Sequence, residues 1–261
     1  GKVDDKYDLS RDLSIAISEY APESEVIVDK AKYTSRYITL PKTGQFTKYY
    51  YFTCSNCERD NISEIKEYLT KCVYCGVPYD EPVNDYFIEP IYGFKTGLNK
   101  ESSTKKPKKT YAGSTSYLGD GVTDDTKLII GANDYITIET SSDDELLVTN
   151  KNPFFMCDKC GYSEIVKGRK GFMTLPSDHL NYKGKKCSCD TIHPIALGHK
   201  FKTDVAKLTI KGLNNKPKAL SLLYALLEGI SQEFNIERKD IDGIVVKNDN
   251  LPLEDIIALM K

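Results

Sequence analysis

Alternating apolar and polar positions run through most of the chain and predict a protein built mainly of strands. EVIVD and YTSRYITL alternate on either side of a turn at Lys30, and FTKYYYF offers a third strand. The strand pattern returns in DYFIEPIYGFKTG, KLIIGAN, DYITIET, ELLVTNK, HKFKTDV and DIDGIVVK.

Helical periodicity is confined to three segments. Near the N-terminus, Leu13, Ala16 and Ile17 share one helix face, with Ser10 as the expected N-cap. NISEIKEYLTK is compatible with a short helix. The strongest segment is KPKALSLLYALLEGISQEFNI, where Pro217 suits the first helical turn. Its apolar stripe, which we expect to face the core, consists of Leu220, Leu223, Leu227, Ile230 and Phe234.

Length and charge narrow the class of protein. With 261 residues the chain is long enough for one large domain or two small ones. A net charge of −2 excludes a globally basic nucleic-acid binder but leaves room for a local basic patch. No apolar run long enough to span a membrane and no signal peptide is present, so we expect a cytoplasmic protein. The chain begins at Gly1 without a methionine, as expected for a piece of a longer protein.

The eight cysteines occur only as close pairs, a pattern typical of metal knuckles. Cys54 and Cys57 are separated by 14 residues from Cys72 and Cys75, close to the spacing of structural zinc ribbons with four cysteine ligands. Four protein ligands leave no position for an activated water. This first site is therefore predicted to hold a structural zinc ion.

The remaining two pairs predict a second zinc site. Cys157 and Cys160 form another C-x-x-C-G knuckle, and the C-x-C pair Cys187 and Cys189 is the only partner left. Either His179 or His193 could replace one sulfur, which would give a site of three cysteines and one histidine. A catalytic thiol at Cys187 or Cys189 would leave the other pair without partners, so we favour metal binding.

We predict no catalytic residues in this chain. The phosphate-binding loop G-x-x-x-x-G-K-[ST] and the motifs H-E-x-x-H, G-x-S-x-G and G-x-G-x-x-G are absent. The paired H-x-E and P-C-x-x-C motifs of zinc deaminases are also absent. These absences favour a zinc-stabilised region that acts by binding, with two structural Zn²⁺ ions as its cofactors.

Residues 98–126 are rich in lysine, serine, threonine and glycine, and they predict a flexible loop. The expected division is a β-rich part at 1–97 with an inserted zinc ribbon (54–76), this loop, and a zinc-binding α+β part at 127–261. For the whole chain we predict an α+β fold that is rich in strands.

The sequence contains three basic patches. Each patch is either solvated or in contact with the phosphates of a nucleic acid. The patches are Lys105, Lys106, Lys108 and Lys109; Arg169 and Lys170; and Lys183–Lys186.

Several segments, taken in order, resemble a known family. RDLSIAISEYAP, FIEPIYGFKTG, FFMCDKCGY and LGHKFKTDVAKL, followed by LSLLYALLEGISQEFNIERKDIDG, look like the C-terminal region of MrfA-like superfamily 2 DNA helicases. That region contains the MZB (MrfA zinc-binding) domain, and a similar region occurs in the DrmB protein of DISARM phage-defence systems. The family's zinc cysteines match Cys157, Cys160, Cys187 and Cys189, and a strand of that family matches His199, Phe201, Thr203 and Asp204.

The resemblance implies a non-catalytic, helicase-associated region that supports DNA binding or DNA positioning. Its expected partners are DNA and a helicase core or a subunit of a defence complex. The alternative is a protein-interaction module that docks a partner subunit without contacting nucleic acid. The clustered lysines favour the first interpretation, and the acidic pI of about 6.0 favours the second.

Overall fold

The computed structural model describes residues 9–97, 101–102, 106–107, 113–119, 127–166, 178–188, 192–248 and 253–260. Within these ranges lie two α-helices, α1 (Leu13–Glu19) and α2 (Lys216–Phe234), and two 3-10 helices at Lys66–Tyr68 and Arg238–Asp240. The strands are β1 (Glu25–Val28), β2 (Ala31–Ile38), β3 (Tyr49–Thr53), β4 (Asp60–Ser63), β5 (Tyr86–Ile88), β6 (Phe94–Thr96), β7 (Glu101–Ser102), β8 (Ser114–Tyr117), β9 (Lys127–Ile130), β10 (Ile136–Cys157), β11 (Ser163–Ile165), β12 (Ile192–Ile210), β13 (Ile241–Lys247) and β14 (Glu254–Met260). The predicted α+β class is confirmed.

The chain divides into two compact units, each made of three separate segments. The first unit takes its described residues from 1–50, 85–114 and 148–199, and the second takes them from 51–84, 115–147 and 200–261. Both units therefore contain residues from before and after the stretch 98–126, which the sequence predicts to be a flexible loop.

That stretch, residues 98–126, lies mostly outside the described residues, so its role as a flexible loop stays a prediction. Its described part includes β7 and β8. The strand β8 forms despite its polar sequence because it pairs with β10, and Tyr117 at its end is buried. Pairing and burial thus outweigh local composition there.

In the first unit, β1 and β2 form an antiparallel hairpin in which Val28 lies opposite Ala31. The two turn residues, Asp29 and Lys30, both have positive φ, as a tight hairpin turn requires. The strand β2 continues into pairings with β6 and β7, and β12 pairs in parallel with β5. The buried core of this unit consists of Ile17, Ala21, Ile38, Ile88, Phe154, Met156, Ile195 and Leu197.

The helix α1 starts later than the sequence suggested. Its N-cap is Asp12 rather than Ser10, and the Asp12 carboxylate accepts the Ser14 N–H at 2.9 Å. A carboxylate is as good a cap as a hydroxyl and adds a favourable charge at the helix N-terminus. The apolar face was predicted correctly, because Ala16 and Ile17 are buried.

In the second unit, α2 packs on β13 and β14. Leu223 and Leu227 are buried as predicted, and Gly243 lies so close to α2 that an added Cβ would sit 2.4 Å from Leu223. Part of the predicted stripe does not face the core, because Leu220 is 36% exposed and Phe234 is 69% exposed. The buried helix positions are Ala219, Leu223 and Leu227.

Three further differences from the sequence pattern stand out. NISEIKEYLTK contains most of β4 and a 3-10 turn instead of an α-helix. The two strands predicted at 134–140 and 145–151 fall within one continuous strand, β10, which begins at Ile136. The strand β14 was not predicted, although it pairs with β13 along its whole length, and Ile256 and Ile257 within it are buried.

Candidate metal centres

The three C-x-x-C turns share one backbone geometry. In each turn, the N–H of the first cysteine donates to the carbonyl five residues later, and the N–H four residues later donates back to the first cysteine's carbonyl. The N–H five residues after the first cysteine also bonds to the sulfur of the second cysteine. The backbone bonds are 2.8–2.9 Å long and join Cys54 to Arg59 and Glu58, Cys72 to Val77 and Gly76, and Cys157 to Tyr162 and Gly161.

The residue that follows the second cysteine of each turn has a left-handed backbone, with φ of 61° at Glu58, 72° at Gly76 and 73° at Gly161. Glycine occupies this position in the last two turns and adopts the conformation without strain. Glu58 adopts it with a side chain, and its carboxylate is held by Lys216 at 2.8 Å and Lys247 at 2.9 Å. Those ion pairs lower the pKa of Glu58 to about 2.

The first ligand set brings Cys54, Cys57, Cys72 and Cys75 together, as the sequence predicts. The Cys54 and Cys75 sulfurs are 3.6 Å apart, and the Cys57 and Cys72 sulfurs are 3.5 Å apart. Zinc–sulfur bonds of about 2.3 Å in a tetrahedron give an edge of about 3.8 Å. The cluster therefore fits a tetrahedral Zn²⁺ ion.

Hydrogen bonds and charge around the first site suit bound thiolates. The Asn61 amide donates to the Cys72 sulfur at 3.5 Å and accepts the Val73 N–H at 2.8 Å. The buried Arg59 guanidinium lies 3.4 Å from the centre of the Tyr74 ring and donates to the Gly119 carbonyl. Four thiolates and one Zn²⁺ carry a net charge of −2, which a buried cation stabilises.

Protonation of the first site is tied to metal binding. Burial raises the pKa of the Cys57 thiol. Burial alone also raises the pKa of Cys75, but hydrogen bonds from the Val77 N–H and the Asn56 side chain bring that pKa down to about 6. Because zinc binds thiolates, loading this site releases protons.

The second ligand set contains Cys157, Cys160, His179 and Cys187. The Cys157 and Cys187 sulfurs are 3.8 Å apart, and the Cys160 sulfur lies 3.3 Å from Nε2 of His179. These distances fit a tetrahedral zinc with one nitrogen ligand. The sequence suggested Cys189 as the fourth ligand, with His179 or His193 as alternatives; Cys189 lies outside the described residues, and among the described residues His179 takes the fourth place.

The surroundings of His179 favour its binding to a metal ion. Its ring stacks on Tyr162 with centroids 4.6 Å apart, and only 7% of the residue is exposed. Burial lowers the pKa of His179, which favours the neutral imidazole that metals bind. The other histidine considered from sequence, His193, faces Asp158 at 3.4 Å and is not in the cluster.

Both ligand sets have four protein ligands, and a closed tetrahedral site has no position for substrate or activated water. The chain has two structural zinc sites. Zinc supplies cross-links there that fix the surrounding turns.

Only some of the residues predicted to contact nucleic acid lie within the part of the chain that the structure describes. Lys106 is exposed, whereas Lys105, Lys108, Lys109, Arg169 and Lys170 lie outside the described residues. Tyr49 and Tyr50, which could otherwise stack on bases, pack against Phe87 and Tyr86 of the neighbouring strand. Sequence reasoning missed Lys95, whose ammonium lies 4.5 Å from the centre of the Tyr182 ring, since nothing local links two residues so far apart in the chain.

The fold and the two ligand sets define an α+β protein with two structural zinc sites. No protein-family model and no curated protein matches the chain. Among solved structures, the chain is similar to the crystal structure of the DUF1998 helicase MrfA bound to DNA, with a TM-score of 0.33 and 11% identity. The match covers 95% of this chain and 23% of the helicase chain. Values this low establish neither a common fold nor a common function. None of the described helices is long and apolar enough to cross a membrane.

Proposed function

We propose that this chain is a non-catalytic, zinc-stabilised region that binds or positions DNA in a helicase or phage-defence complex of the cytoplasm. The observation that carries the proposal is the closure of both ligand sets by four protein side chains. Zinc held in this way shapes a surface instead of activating a water molecule. The function then depends on what the surrounding surface binds.

Two features of the sequence support DNA as the ligand. The ordered segments described above resemble the C-terminal region of MrfA-like helicases and DrmB proteins. Lysines are also clustered in a chain whose net charge is −2, and Lys106 of the densest cluster is exposed. The proposed phosphate contacts are Lys105, Lys106, Lys108, Lys109, Arg169 and Lys170.

Binding of mixed-sequence single- and double-stranded DNA, measured by fluorescence anisotropy over a range of salt, tests the proposal. We expect log K to fall linearly with log salt, and unrelated sequences to bind alike. Replacing Lys105, Lys106, Lys108 and Lys109 by alanine should make the slope shallower by up to about three, at roughly 0.7–0.9 for each contact. Zinc content and thermal unfolding serve as controls and should not change.

Docking of a partner protein is the second candidate function, and the hairpin of β9 and β10 favours it. Leu128 lies opposite Ile138, and Ile130 lies opposite Ile136, so one face of the hairpin is entirely aliphatic. Leu128 is 56% exposed and Ile130 is 44% exposed. Exposed aliphatic patches often mark protein interfaces. Wild-type protein that binds no DNA even at low salt would favour this second function.

A further inference from the structure

We propose that residues 178–188, here called the zinc turn, form a preorganised surface that contacts the phosphate backbone of nucleic acid. This inference rests on the proposed function and names the contact surface within it. The zinc turn carries His179 near one end and Cys187 near the other, and both belong to the second ligand set. Zinc at that site fixes both ends of the turn.

The zinc turn is held by its own hydrogen bonds as well. The Gly184 N–H donates to the Asn181 carbonyl at 2.8 Å, and the Asn181 N–H donates to the Lys185 carbonyl at 2.8 Å. The Asn181 side-chain oxygen accepts the N–H groups of Lys183 at 2.9 Å and Lys185 at 3.1 Å. At the base, the Cys187 N–H donates to the His179 carbonyl at 3.1 Å. A backbone ordered before binding loses little conformational entropy on contact with a ligand.

The charge of the zinc turn is positive. The segment contains three lysines, Lys183, Lys185 and Lys186, and one carboxylate, Asp178. All three lysines are exposed, and Asp178 pairs with Lys186 at 2.7 Å. Lysine ammonium groups on an exposed turn suit phosphate oxygens, and such contacts are independent of base sequence.

Tyr182 brings a fourth cation to this surface. The ammonium of Lys95, from β6, lies 4.5 Å from the centre of the Tyr182 ring, and the ammonium of Lys183 lies 5.5 Å from it. Cation–π contacts of this length hold both ammonium groups near one ring. The Tyr182 ring in turn packs edge-on against Tyr37 with centroids 6.5 Å apart. Residues from two separate parts of the first unit thereby contribute to one basic surface.

The second ligand set opposes an anionic partner less than a four-cysteine set would. Three thiolates and one neutral histidine around Zn²⁺ leave a net charge of −1, whereas four thiolates leave −2. His179 as the fourth ligand therefore reduces the repulsion between the site and a nearby phosphate.

The test compares two double variants of the full chain that remove the same charge. Lys183→Ala with Lys185→Ala removes two cations from the zinc turn, and Lys66→Ala with Lys71→Ala removes two exposed lysines close to the first site. Duplex DNA binding is measured by anisotropy across a salt series. We expect the zinc-turn variant to make the slope of log K against log salt shallower by about two, at roughly 0.9 for each contact. The control variant should keep the wild-type slope, and both should keep their zinc.

A third variant separates charge from side-chain shape. Lys183→Arg with Lys185→Arg keeps both charges and should keep the wild-type slope. An unchanged slope in the alanine variant, or an equal loss in the Lys66 and Lys71 control, overturns the inference while the DNA-binding function stands. Wild-type protein without salt-dependent binding overturns the inference and the proposed function together.

Discussion

At the scale of single residues, one backbone conformation recurs directly after every C-x-x-C pair, but its surroundings differ. Gly76 has open space around the position where a Cβ would be. At Gly161 a Cβ would lie 1.9 Å from the carbonyl oxygen of Ile38, whose N–H donates to the Gly161 carbonyl at 2.8 Å. The second site therefore packs against β2. Gly161 is favoured there both by its positive φ and by the close approach of the Ile38 carbonyl.

These two glycines give a matched pair of predictions. Gly76→Ala should destabilise the protein by about 1–2 kcal/mol, the cost of a left-handed backbone at a residue with a Cβ. Gly161→Ala should cost more than about 3 kcal/mol and should also weaken zinc binding at the second site, because the backbone must move away from Ile38. Denaturant unfolding and zinc content check both variants. Equal destabilisation by the two substitutions would contradict the close approach.

The ligands themselves show what sequence can and cannot predict at this scale. The spacing of Cys54, Cys57, Cys72 and Cys75 was sufficient to predict the first site, because two tight turns each present two sulfurs to one point. The second site left its fourth ligand open. His179 enters it because of its stacking on Tyr162 and its burial, and these contacts depend on folding.

At the scale of elements, α2 shows what hydrophobic periodicity can and cannot predict. The helix, its first-turn proline and its apolar stripe were predicted from sequence. The stripe alone does not indicate which of its positions the neighbouring strands bury. Only the line through Leu223 and Leu227 is buried on β13 and β14, and Leu220 and Phe234 lie outside it. The strand β14 escaped prediction because its burial comes from pairing with β13 and β12, which local sequence does not encode.

Two leucines of α2 differ in burial, so replacing them by alanine should have different effects on stability. Leu223 is 2% exposed, so Leu223→Ala should lower the free energy of unfolding by about 2–5 kcal/mol through lost burial and a cavity. Leu220→Ala makes the same chemical change at a position 36% exposed and should cost less than about 1 kcal/mol. Chemical denaturation of both variants measures the difference. Similar costs at the two positions would show that α2 is packed differently.

At the scale of the whole molecule, each compact unit contains one zinc site. The four-cysteine set belongs to residues 51–84 of the second unit, and the set with His179 belongs to residues 148–199 of the first. The sequence suggested a linear division, whereas the described segments interleave. Contacts that join segments so far apart in the chain leave no signature in local composition.

Separate sites should lose their metal separately. Cys72→Ser should reduce the zinc content from about two ions per chain to about one and lower the thermal stability, because metal binding and local folding are coupled. Cys187→Ser should do the same for the other site. Hydrogen exchange should increase around 54–75 in the first variant and around 157–187 in the second. Loss of both ions from either single variant would show that the sites depend on each other.

Two closed zinc sites stabilise this protein, and zinc K-edge X-ray absorption on the purified chain, together with its metal content, tests both sites at once. We expect two ions per chain that share seven sulfur ligands and one nitrogen ligand. Zinc–sulfur distances should be about 2.3 Å, with no oxygen ligand. A single zinc ion per chain, or an oxygen ligand from bound water, would show that the two sites are not both closed by protein side chains.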